Sequence, residues 1–355
     1  MKCNVLFVAG YLESDGITNY TMPFIDRQLD SLNSNGLTVY PFSIQSHKSR
    51  LNYIFKAPQI RAEVQEKKID IIHAHYSYAA FTCGLSTTTP LVVSLMGEDT
   101  YGRVGKGFKT RLINLISKQI ITRCSPQWDA IIVKSAGMKA LIRHPHTYVI
   151  PNGVDFYSFR PMDRSWAQDQ LHLSRNKKYI LFGGDPDNPR KNYPLSQKVL
   201  GLVQKKLSNV TMIPLKDIAH KDVPLYLNAC SCLLLTSLKE GSPNIVKESL
   251  ACNIPVVSVD VGDVTEQVSK LPRCSANPYD PHILADKVLQ VLNDQTPFDI
   301  RSKISQLNIH NVARDIIKVY SNVLHAKDAP RQRRYYGKHT YLRNWLRQHR
   351  YKGLQ

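Results

Sequence analysis

The sequence lacks long hydrophobic runs, a cysteine framework and repeats. No apolar run approaches the roughly 18 residues that a membrane-spanning helix needs. The first apolar run, Val5 to Ala9, is too short for a signal peptide, and we expect a β-strand there. Seven cysteines, an odd number in mostly apolar stretches, exclude a disulfide framework and fit a reducing cytosol. We therefore expect a cytoplasmic, globular protein.

Acidic residues are scarce: 28 Asp and Glu stand against 47 Lys and Arg, giving a net charge of +19. This balance favours an anionic partner, such as nucleic acid, a phosphorylated ligand or a membrane surface. Residues 331–355 contain eight bases and no acid, with tyrosines and a tryptophan among them. Residues 103–123 also lack acids. That stretch fits a core-facing helix with solvated bases, or a helix lying on anionic lipid at the inner face of the cell membrane.

Short apolar runs alternate with helical periodicity, which is typical of parallel sheets buried on both faces. The turn-forming sequence Pro151 to Asp155 interrupts this rhythm, and a last helix is expected at about 310–326. We predict an α/β protein of two Rossmann-like, doubly wound domains, residues 1–150 and 151–330, facing across a cleft, and a basic aromatic tail. The last helix could pack back on the N-terminal domain. Strands are predicted at 5–9, 37–40, 70–75, 91–95, 130–133, 148–150, 179–182, 210–213, 232–236 and 255–259.

The stretch from Thr236 to Ala251 carries the most chemical information. It follows a predicted strand and begins a helix, with Ser242 as the expected N-cap and Pro243 as the first helical residue. The free N–H groups of such a helix start form an anion site. Glu240 before the helix and Glu248 within it can accept hydrogen bonds from sugar hydroxyls. The pattern indicates a nucleotide-sugar pocket, or else two exposed glutamates beside a capped helix.

A second strand-to-helix connection supports this interpretation. Two glycines at 183 and 184 allow close approach of the backbone. Arg190 and Lys191 supply positive charge that could neutralise a diphosphate and stabilise it as it leaves. Asp185 and Asp187 match a two-aspartate pattern that holds a divalent ion in some sugar transferases. A plain turn is the preferred interpretation, and no metal or cofactor is assigned.

These motifs together resemble family 4 retaining glycosyltransferases, over roughly residues 1–325. Glu240 and Glu248, separated by seven residues, look like the Glu-x7-Glu signature of that family. The sequence 152–155, Asn-Gly-Val-Asp, resembles its domain-junction motif, and 255–266 is similar to its next strand and loop. The resemblance implies a GT-B fold, a nucleotide-diphosphate sugar donor held by the second domain, and no required metal.

The resemblance also implies roles for individual residues. Glu240 would bind hydroxyls of the transferred sugar near the reacting centre, and Glu248 would bind the ribose. Arg190 and Lys191 would hold the diphosphate, with help from the backbone around the new helix. Gly16 would approach the phosphates or the acceptor. The predicted substrate-binding set is Gly16, Arg190, Lys191, Ser242, Pro243, Asn244, Ile245 and Glu248, and the predicted catalytic residues are Glu240 and His75.

The sequence departs from the family pattern at two positions. The family usually has an arginine directly after the glycine of the 183–185 region, where this chain has Gly184 and Asp185. Arg190 would take over that charge, as in some bacterial surface-polysaccharide enzymes of the group. The family often has a histidine where this chain has Met96, and His75 or His73 is the available substitute. A histidine at a strand end can equally be structural.

The resulting hypothesis is transfer of a sugar from a UDP- or GDP-sugar to a hydroxyl of a glycan or lipid-linked acceptor, in cell-surface polysaccharide synthesis. An anionic membrane surface could be contacted through 103–123 and 331–352. Two alternatives remain. One is a nucleotide-sugar epimerase on a similar fold. The other is a non-catalytic, basic nucleic-acid or membrane binder, although no recognised nucleic-acid motif is present.

Overall fold

The computed structural model describes residues 3–10, 23–49, 51–103 and 107–326, which form two compact units. The first unit comprises the described parts of residues 1–134, 138–150 and 313–355. The second unit comprises residues 135–137 and 151–312. Gly16, named as a candidate binding residue, and the basic tail from 331 onward lie outside the described residues.

The first unit is built on a parallel sheet of six strands in the order β2-β1-β3-β4-β5-β6. Strands β1, β3, β4 and β5 are buried almost throughout, as continuous apolar runs in a sheet covered on both faces must be. The strands are β1 Asn4–Ala9, β2 Thr38–Ser43, β3 Ile71–His75, β4 Leu91–Ser94, β5 Ala130–Val133 and β6 Thr147–Val149. The helices that begin in this half of the chain are α1 Pro23–Ser34, α2 Asn52–Phe55, α3 Ala57–Glu66, α4 Ser77–Ser86, α5 Gly97–Tyr101, α6 Phe108–Cys124 and α7 Ala136–Ala140.

The second unit contains a parallel sheet of five strands in the order β11-β10-β9-β7-β8. Its strands are β7 Lys178–Phe182, β8 Val210–Pro214, β9 Cys232–Leu235, β10 Val256–Val259 and β11 Ser275–Asn277. Its helices are α8 Arg164–Gln170, α9 Tyr193–Gln204, α10 Val223–Ala229, α11 Asn244–Ala251, α12 Val264–Val268 and α13 Pro281–Asn293, and α14 Ile309–His325 follows. Two doubly wound parallel sheets confirm the predicted α/β class.

The order of this second sheet fixes where a ligand can bind. From β7 the chain moves to β8 on one side, and from β9 it moves to β10 on the other. A crevice therefore opens at the carboxyl ends of β7 and β9, which is the usual ligand position in such sheets. The two stretches singled out in the sequence, 183–192 and 236–243, are the connections that follow these two strands.

Helix α14 carries a buried stripe at helical spacing that includes Ala313, Ile316 and Tyr320. The Tyr320 hydroxyl lies 2.6 Å from Nδ1 of His73, and the other ring nitrogen of His73 lies 2.9 Å from the Ser94 hydroxyl. All three side chains are fully buried. These hydrogen bonds satisfy His73 and attach helix α14 to the first sheet.

The cysteines and strand β11 can also be compared with the predictions from the sequence. All seven cysteines lie within the described residues and are free, and six of them are buried, which confirms that there is no disulfide framework. Strand β11 is missing from the sequence prediction, because its three residues, Ser-Ala-Asn, carry no apolar run. Among the described residues, every helix is too short or too polar to cross a bilayer.

Candidate functional site

The connection after β7 brings Lys191 close to the backbone of Gly184. A Cβ atom added to Gly184 would lie 2.7 Å from two carbons of the Lys191 side chain, so a larger residue would displace that lysine. Pro189, Arg190 and Lys191 form a short 3₁₀ turn. Asn188 caps this turn: its side-chain oxygen accepts a hydrogen bond from the backbone amide of Arg190 at 3.1 Å. The turn therefore presents two adjacent cations at the end of the strand.

The connection after β9 is hydrogen-bonded to this turn. Leu238 N donates to the Arg190 carbonyl at 2.8 Å. The Thr236 hydroxyl lies 3.0 Å from the Lys191 carbonyl and 3.1 Å from the Asn192 carbonyl. These bonds hold two segments about fifty residues apart in one place, and they orient the side chains that follow.

Glu240 is the acidic partner of both cations. Lys191 Nζ donates to its Oε1 at 2.8 Å, and Arg190 Nη1 donates to its Oε2 at 3.0 Å. The Glu240 side chain is only 8% exposed, so the carboxylate is largely withdrawn from water. Burial by itself raises the pKa of Glu240, but the Lys191 and Arg190 charges outweigh burial and hold the pKa below its ordinary value. The interpretation of two exposed surface glutamates is therefore wrong for Glu240.

Helix α11 begins beside this ion cluster, one residue later than the sequence predicted. Pro243 has extended geometry (ψ 122°) and occupies the N-cap position, so the first helical residue is Asn244. The predicted cap by Ser242 is wrong: the structure has no side-chain cap on α11. The amides of the first turn, from Asn244 onward, have no intrahelical acceptor by helix geometry. They form a partly positive surface suited to an anion.

Asn152 of the junction motif reaches this helix start. Its Nδ2 donates to Oδ1 of Asn244 at 3.2 Å, while its own Oδ1 is buried and has no hydrogen-bond partner among the described residues. Ile245 lies against Gly183, since a Cβ on that glycine would be 3.5 Å from the Ile245 Cγ2 atom. The helix start is thus enclosed by the β7 connection and by the junction motif.

Glu248 lies on the buried side of α11, with 6% of its side chain exposed. His220, in a short 3₁₀ turn after β8, places Nε2 at 2.9 Å from Glu248 Oε1. Sequence reasoning missed His220, because its pairing with Glu248 depends on the fold and has no spacing motif. Glu248 is therefore also not a surface residue.

Asp185 and Asp187 behave as turn residues. Asp185 Oδ1 accepts from the backbone amide of Asp187 at 2.9 Å, and Asp187 forms an exposed ion pair with Lys216 at 2.6 Å. Both aspartates are exposed. Each contact matches the plain-turn interpretation.

The first unit has its own polar end at β3. His75 is fully buried, and neither of its ring nitrogens has a hydrogen-bond partner among the described residues. Burial lowers its pKa well below the ordinary value, and the neighbouring His73 and Lys134 lower it further, so the ring is neutral at pH 7. Tyr76 follows with φ 72° and ψ 152°, a backbone region almost confined to glycine. Strain of this kind beside an unpartnered buried imidazole marks a candidate site on this unit.

Met96, at the position where the resemblance implies a histidine, is buried and caps helix α5 through its backbone. Its amide donates to Oδ2 of Asp99 at 2.9 Å, and Oδ1 of Asp99 accepts from the Ser77 hydroxyl at 2.6 Å. This buried carboxylate was not among the predicted site residues, although its place three residues into the helix is a capping-box signal. Asp99 therefore links the start of α4, two residues after His75, to the start of α5.

Two family models match most of the chain. The model of Glycosyltransferase Family 4 matches residues 17–156, and that of Glycosyl transferases group 1 matches residues 166–294. TuaC of Bacillus subtilis, assigned as a glycosyltransferase of teichuronic acid biosynthesis, is 23% identical over 64% of this chain and 62% of its own length. The chain thus matches less than two thirds of that relative. The uncharacterized glycosyltransferase MJ1178 of Methanocaldococcus jannaschii is 23% identical over 69% of this chain and 72% of its own length.

Solved structures show the same fold at low sequence identity. The chain is similar to sucrose-phosphate synthase of Thermosynechococcus elongatus, with a TM-score of 0.67, 17% identity, and coverage of 91% of this chain and 100% of that one. It is also similar to Alr3699/HepE of Anabaena, with a TM-score of 0.68, 16% identity, and coverage of 90% and 100%. At these identities the likeness concerns the fold alone.

Proposed function

The chain belongs to glycosyltransferase family 4 and has the GT-B fold, and from this membership we propose that it transfers a sugar from a nucleotide-diphosphate sugar to an acceptor hydroxyl, with retained configuration. The observation that carries the proposal is the meeting of Lys191, Arg190 and Glu240 beside the start of α11, at the carboxyl ends of β7 and β9. Carbohydrate and diphosphate can be recognised side by side at such a cluster.

The charges of the cluster suit a diphosphate ester. Arg190 and Lys191 contribute two positive charges and Glu240 one negative charge, and the α11 N-terminus adds roughly half a positive charge. A bound diphosphate would compete with Glu240 for the two cations. As the bond to the sugar breaks, negative charge grows on the departing diphosphate, and the fixed cations would stabilise it. The Glu240 carboxylate then remains to accept hydrogen bonds from the sugar hydroxyls.

Glu248 would bind the ribose in this arrangement. Its buried Oε1 is already held by His220, and a carboxylate has further acceptor positions for two vicinal hydroxyls. The 240–243 loop, which joins β9 to α11, would contribute backbone contacts from Ser242 and Pro243, and the helix start would add the amides of Asn244 and Ile245. Each donor-side residue that the sequence predicted and the structure describes is thus proposed to contact one part of a nucleotide sugar.

A uridine donor is the first choice for testing. HepE of Anabaena has been solved with UDP, with UDP and glucose, and with UDP-glucose, and the trehalose-6-phosphate protein of E. coli with UDP-2-fluoro glucose. For the acceptor, the relation to TuaC supports a glycan or lipid-linked sugar of cell-surface polysaccharide synthesis. His75, beside the strained Tyr76, is our candidate for contact with the acceptor.

Calorimetric titration with UDP, GDP and ADP tests the donor site. We expect one nucleotide to bind with clearly higher affinity than the other two. Failure of all three to bind would refute the proposal. Release of UDP from UDP-glucose, with and without a polyprenyl-diphosphate-linked sugar, then tests transfer. Isomerised donor in the reaction without acceptor would instead favour an epimerase.

We also propose that helix α6 contacts anionic phospholipid at the inner face of the cell membrane. At 3.6 residues per turn, Phe108, Leu112 and Leu115 fall on one stripe of the helix, and all three are exposed. The opposite side, with Ser117, Ile120 and Cys124, is buried against the unit.

Basic residues flank this exposed stripe on both sides, and α6 contains no acidic residue. They are Arg111 and Lys118 on one side and Lys109 and Arg123 on the other, and all four are exposed. An apolar stripe between two basic margins complements a bilayer surface with negative headgroups. The helix expected within 103–123 is α6, Phe108–Cys124, and its exposed leucines and phenylalanine support the lipid interpretation.

A further inference from the structure

Helix α11 carries a lysine that the donor assignments do not use. Lys247 is completely buried, whereas the other lysine of the site, Lys191, keeps 14% of its side chain exposed. Its Nζ lies 3.1 Å from the Ser242 hydroxyl and 3.4 Å from the Ser242 carbonyl oxygen. An apolar residue at this position would avoid the desolvation of an ammonium group, so the buried charge needs a specific explanation.

An acid and an amide complete a buried polar cluster around this lysine. Asp263, in the connection from β10 to α12, is 5% exposed, and its Oδ1 accepts from Gln267 Nε2 at 2.6 Å. The same Nε2 lies 3.4 Å from the Ser242 hydroxyl. The charged groups that face Lys247 are Asp263 from this connection and Glu248 from its own helix.

The β10 to α12 connection also presses directly on the 240–243 loop. Gly262 has φ +62°, and a Cβ added there would lie 2.7 Å from the Gly241 carbonyl oxygen and 3.1 Å from that of Glu240. The loop is thus held from one side by the ion pairs of Glu240 and from the other by Gly262 and Lys247.

We propose that Lys247 is a positioning residue for the nucleotide donor: its buried ammonium fixes Ser242, and through it the start of α11, and adds a positive charge behind the amides that receive the diphosphate. This inference rests on the proposed function. Because Ser242 is two residues before the first helical residue, an ammonium bonded to it lies close to the helix N-terminus. Lys247 does not touch the donor, and it acts through the loop and the local charge.

The proposal predicts a pH dependence of donor affinity. Burial lowers the pKa of Lys247 to about 8, against the opposing influence of Asp263 and Glu248. An anionic ligand favours the protonated lysine, so its affinity should fall as the pH rises through this value. The terminal phosphate of UDP has a pKa of about 6, so titrations between pH 7 and 9 are free of phosphate ionisation.

Calorimetry with UDP between pH 7 and 9 tests the proposal on the full-length chain. For Lys247→Met we expect roughly tenfold weaker binding at pH 7 and loss of the pH dependence that the wild type shows. Lys270→Met, which changes an exposed lysine at the end of α12, is the matched control and should bind as the wild type does. Asp263→Asn should move the pH dependence of binding to lower pH, because the ammonium loses its opposing charge.

The possible outcomes distinguish failure of the proposed role of Lys247 from failure of the proposed function. Wild-type affinity and pH dependence in Lys247→Met would overturn the role of Lys247 and leave the donor site intact. If that variant does not fold, an unchanged pH dependence in Asp263→Asn overturns it instead. Failure of the wild type to bind any nucleotide would overturn the proposed function, and this inference with it.

Discussion

The ammonium group of Lys191 lies 2.8 Å from the carboxylate of Glu240, although 49 residues separate them in sequence. The pair forms because β7 and β9 are neighbours in the sheet and both connections leave from the same edge. In the proposed donor site, the pair lies where the diphosphate and a sugar hydroxyl would meet. Because the two residues are paired, replacing either one should change both the affinity for UDP and the free energy of unfolding.

Replacing Lys191 by methionine should weaken UDP binding at least tenfold. The substitution removes a cation that is 14% exposed, and it leaves Arg190 as the remaining ion-pair partner of Glu240 among the described residues. Lys198→Met, on an exposed face of α9, is the matched control. Calorimetry at low ionic strength measures the effect. Equal affinity in the two variants would remove Lys191 from the diphosphate site.

The ion pairs of Glu240 should also appear in acid stability. Because its pKa in the folded chain is below the ordinary value, the pairs contribute stability at neutral pH, and this is lost as the pH falls through the folded-state pKa. Glu240→Gln should lower the free energy of unfolding by about 1–2 kcal/mol at pH 7. The difference from the wild type should shrink as the pH falls below the ordinary range of a glutamate carboxyl group. Urea denaturation at several pH values would test this, and a difference independent of pH would contradict it.

Sequence patterns located this site but could not describe its internal pairing. The spacing of Glu240 and Glu248 and the adjacent bases at 190 and 191 name the participants. They do not show that Glu240 binds both bases, since that depends on strand order. The Ser242 cap fails for a local reason: Pro243 adopts an extended ψ, and the Ser242 hydroxyl is engaged by Lys247. The sequence could not predict the pairing of His220 with Glu248 either, because that contact also depends on the order of the strands in the sheet.

Glu248 should distinguish ribose from deoxyribose. The wild type is expected to bind UDP at least about tenfold more tightly than 2′-deoxy-UDP, which corresponds to one hydrogen bond to a charged acceptor of about 1.5 kcal/mol or more. Glu248→Gln should abolish most of this discrimination, and His220→Gln should reduce it, because Oε1 loses its 2.9 Å partner. Glu266→Gln, an exposed change on α12, should leave the ratio unchanged. Retained discrimination in Glu248→Gln would assign the ribose to another residue.

His75 and His73 should respond differently to substitution. His75 has no hydrogen-bond partner among the described residues, so His75→Leu should leave the melting temperature unchanged or raised. If the ring contacts the acceptor, transfer should fall about a hundredfold while UDP affinity stays constant. His73→Leu instead leaves Tyr320 and Ser94 without their partner and should lower the melting temperature by about 5 °C. Full transfer activity in His75→Leu would show that this histidine is structural.

The neutral state of His75 limits the chemistry it can perform. Its pKa lies well below the ordinary value because of burial and the neighbouring His73 and Lys134. A group of such low basicity is a poor general base at pH 7. We therefore expect it to orient the acceptor hydroxyl, and the pH profile of transfer should show no inflection from this histidine between pH 6 and 8, within about the range where a free imidazole titrates.

Helix α6 should determine binding to anionic vesicles. Leu115→Ser removes an apolar side chain that is 55% exposed on the stripe of α6. Leu141→Ser is the matched control, because it removes a leucine that is 56% exposed in the same unit, directly after α7. Flotation with vesicles of phosphatidylcholine containing about a third of phosphatidylglycerol should recover the wild type and Leu141→Ser at low salt. It should recover less of Leu115→Ser. It should recover much less of Lys109→Glu, because the new carboxylate is repelled by the anionic lipid.

Salt and lipid composition complete this test. Binding should decline between low and high salt, because the bases of α6 act through screened attraction, and pure phosphatidylcholine should retain little protein. Residues 331–352 carry additional bases and lie outside the described part of the chain, so truncation before residue 331 should weaken binding without removing its dependence on Leu115. If all α6 variants float like the wild type, and only the truncation abolishes flotation, the tail binds the membrane and the α6 surface does not.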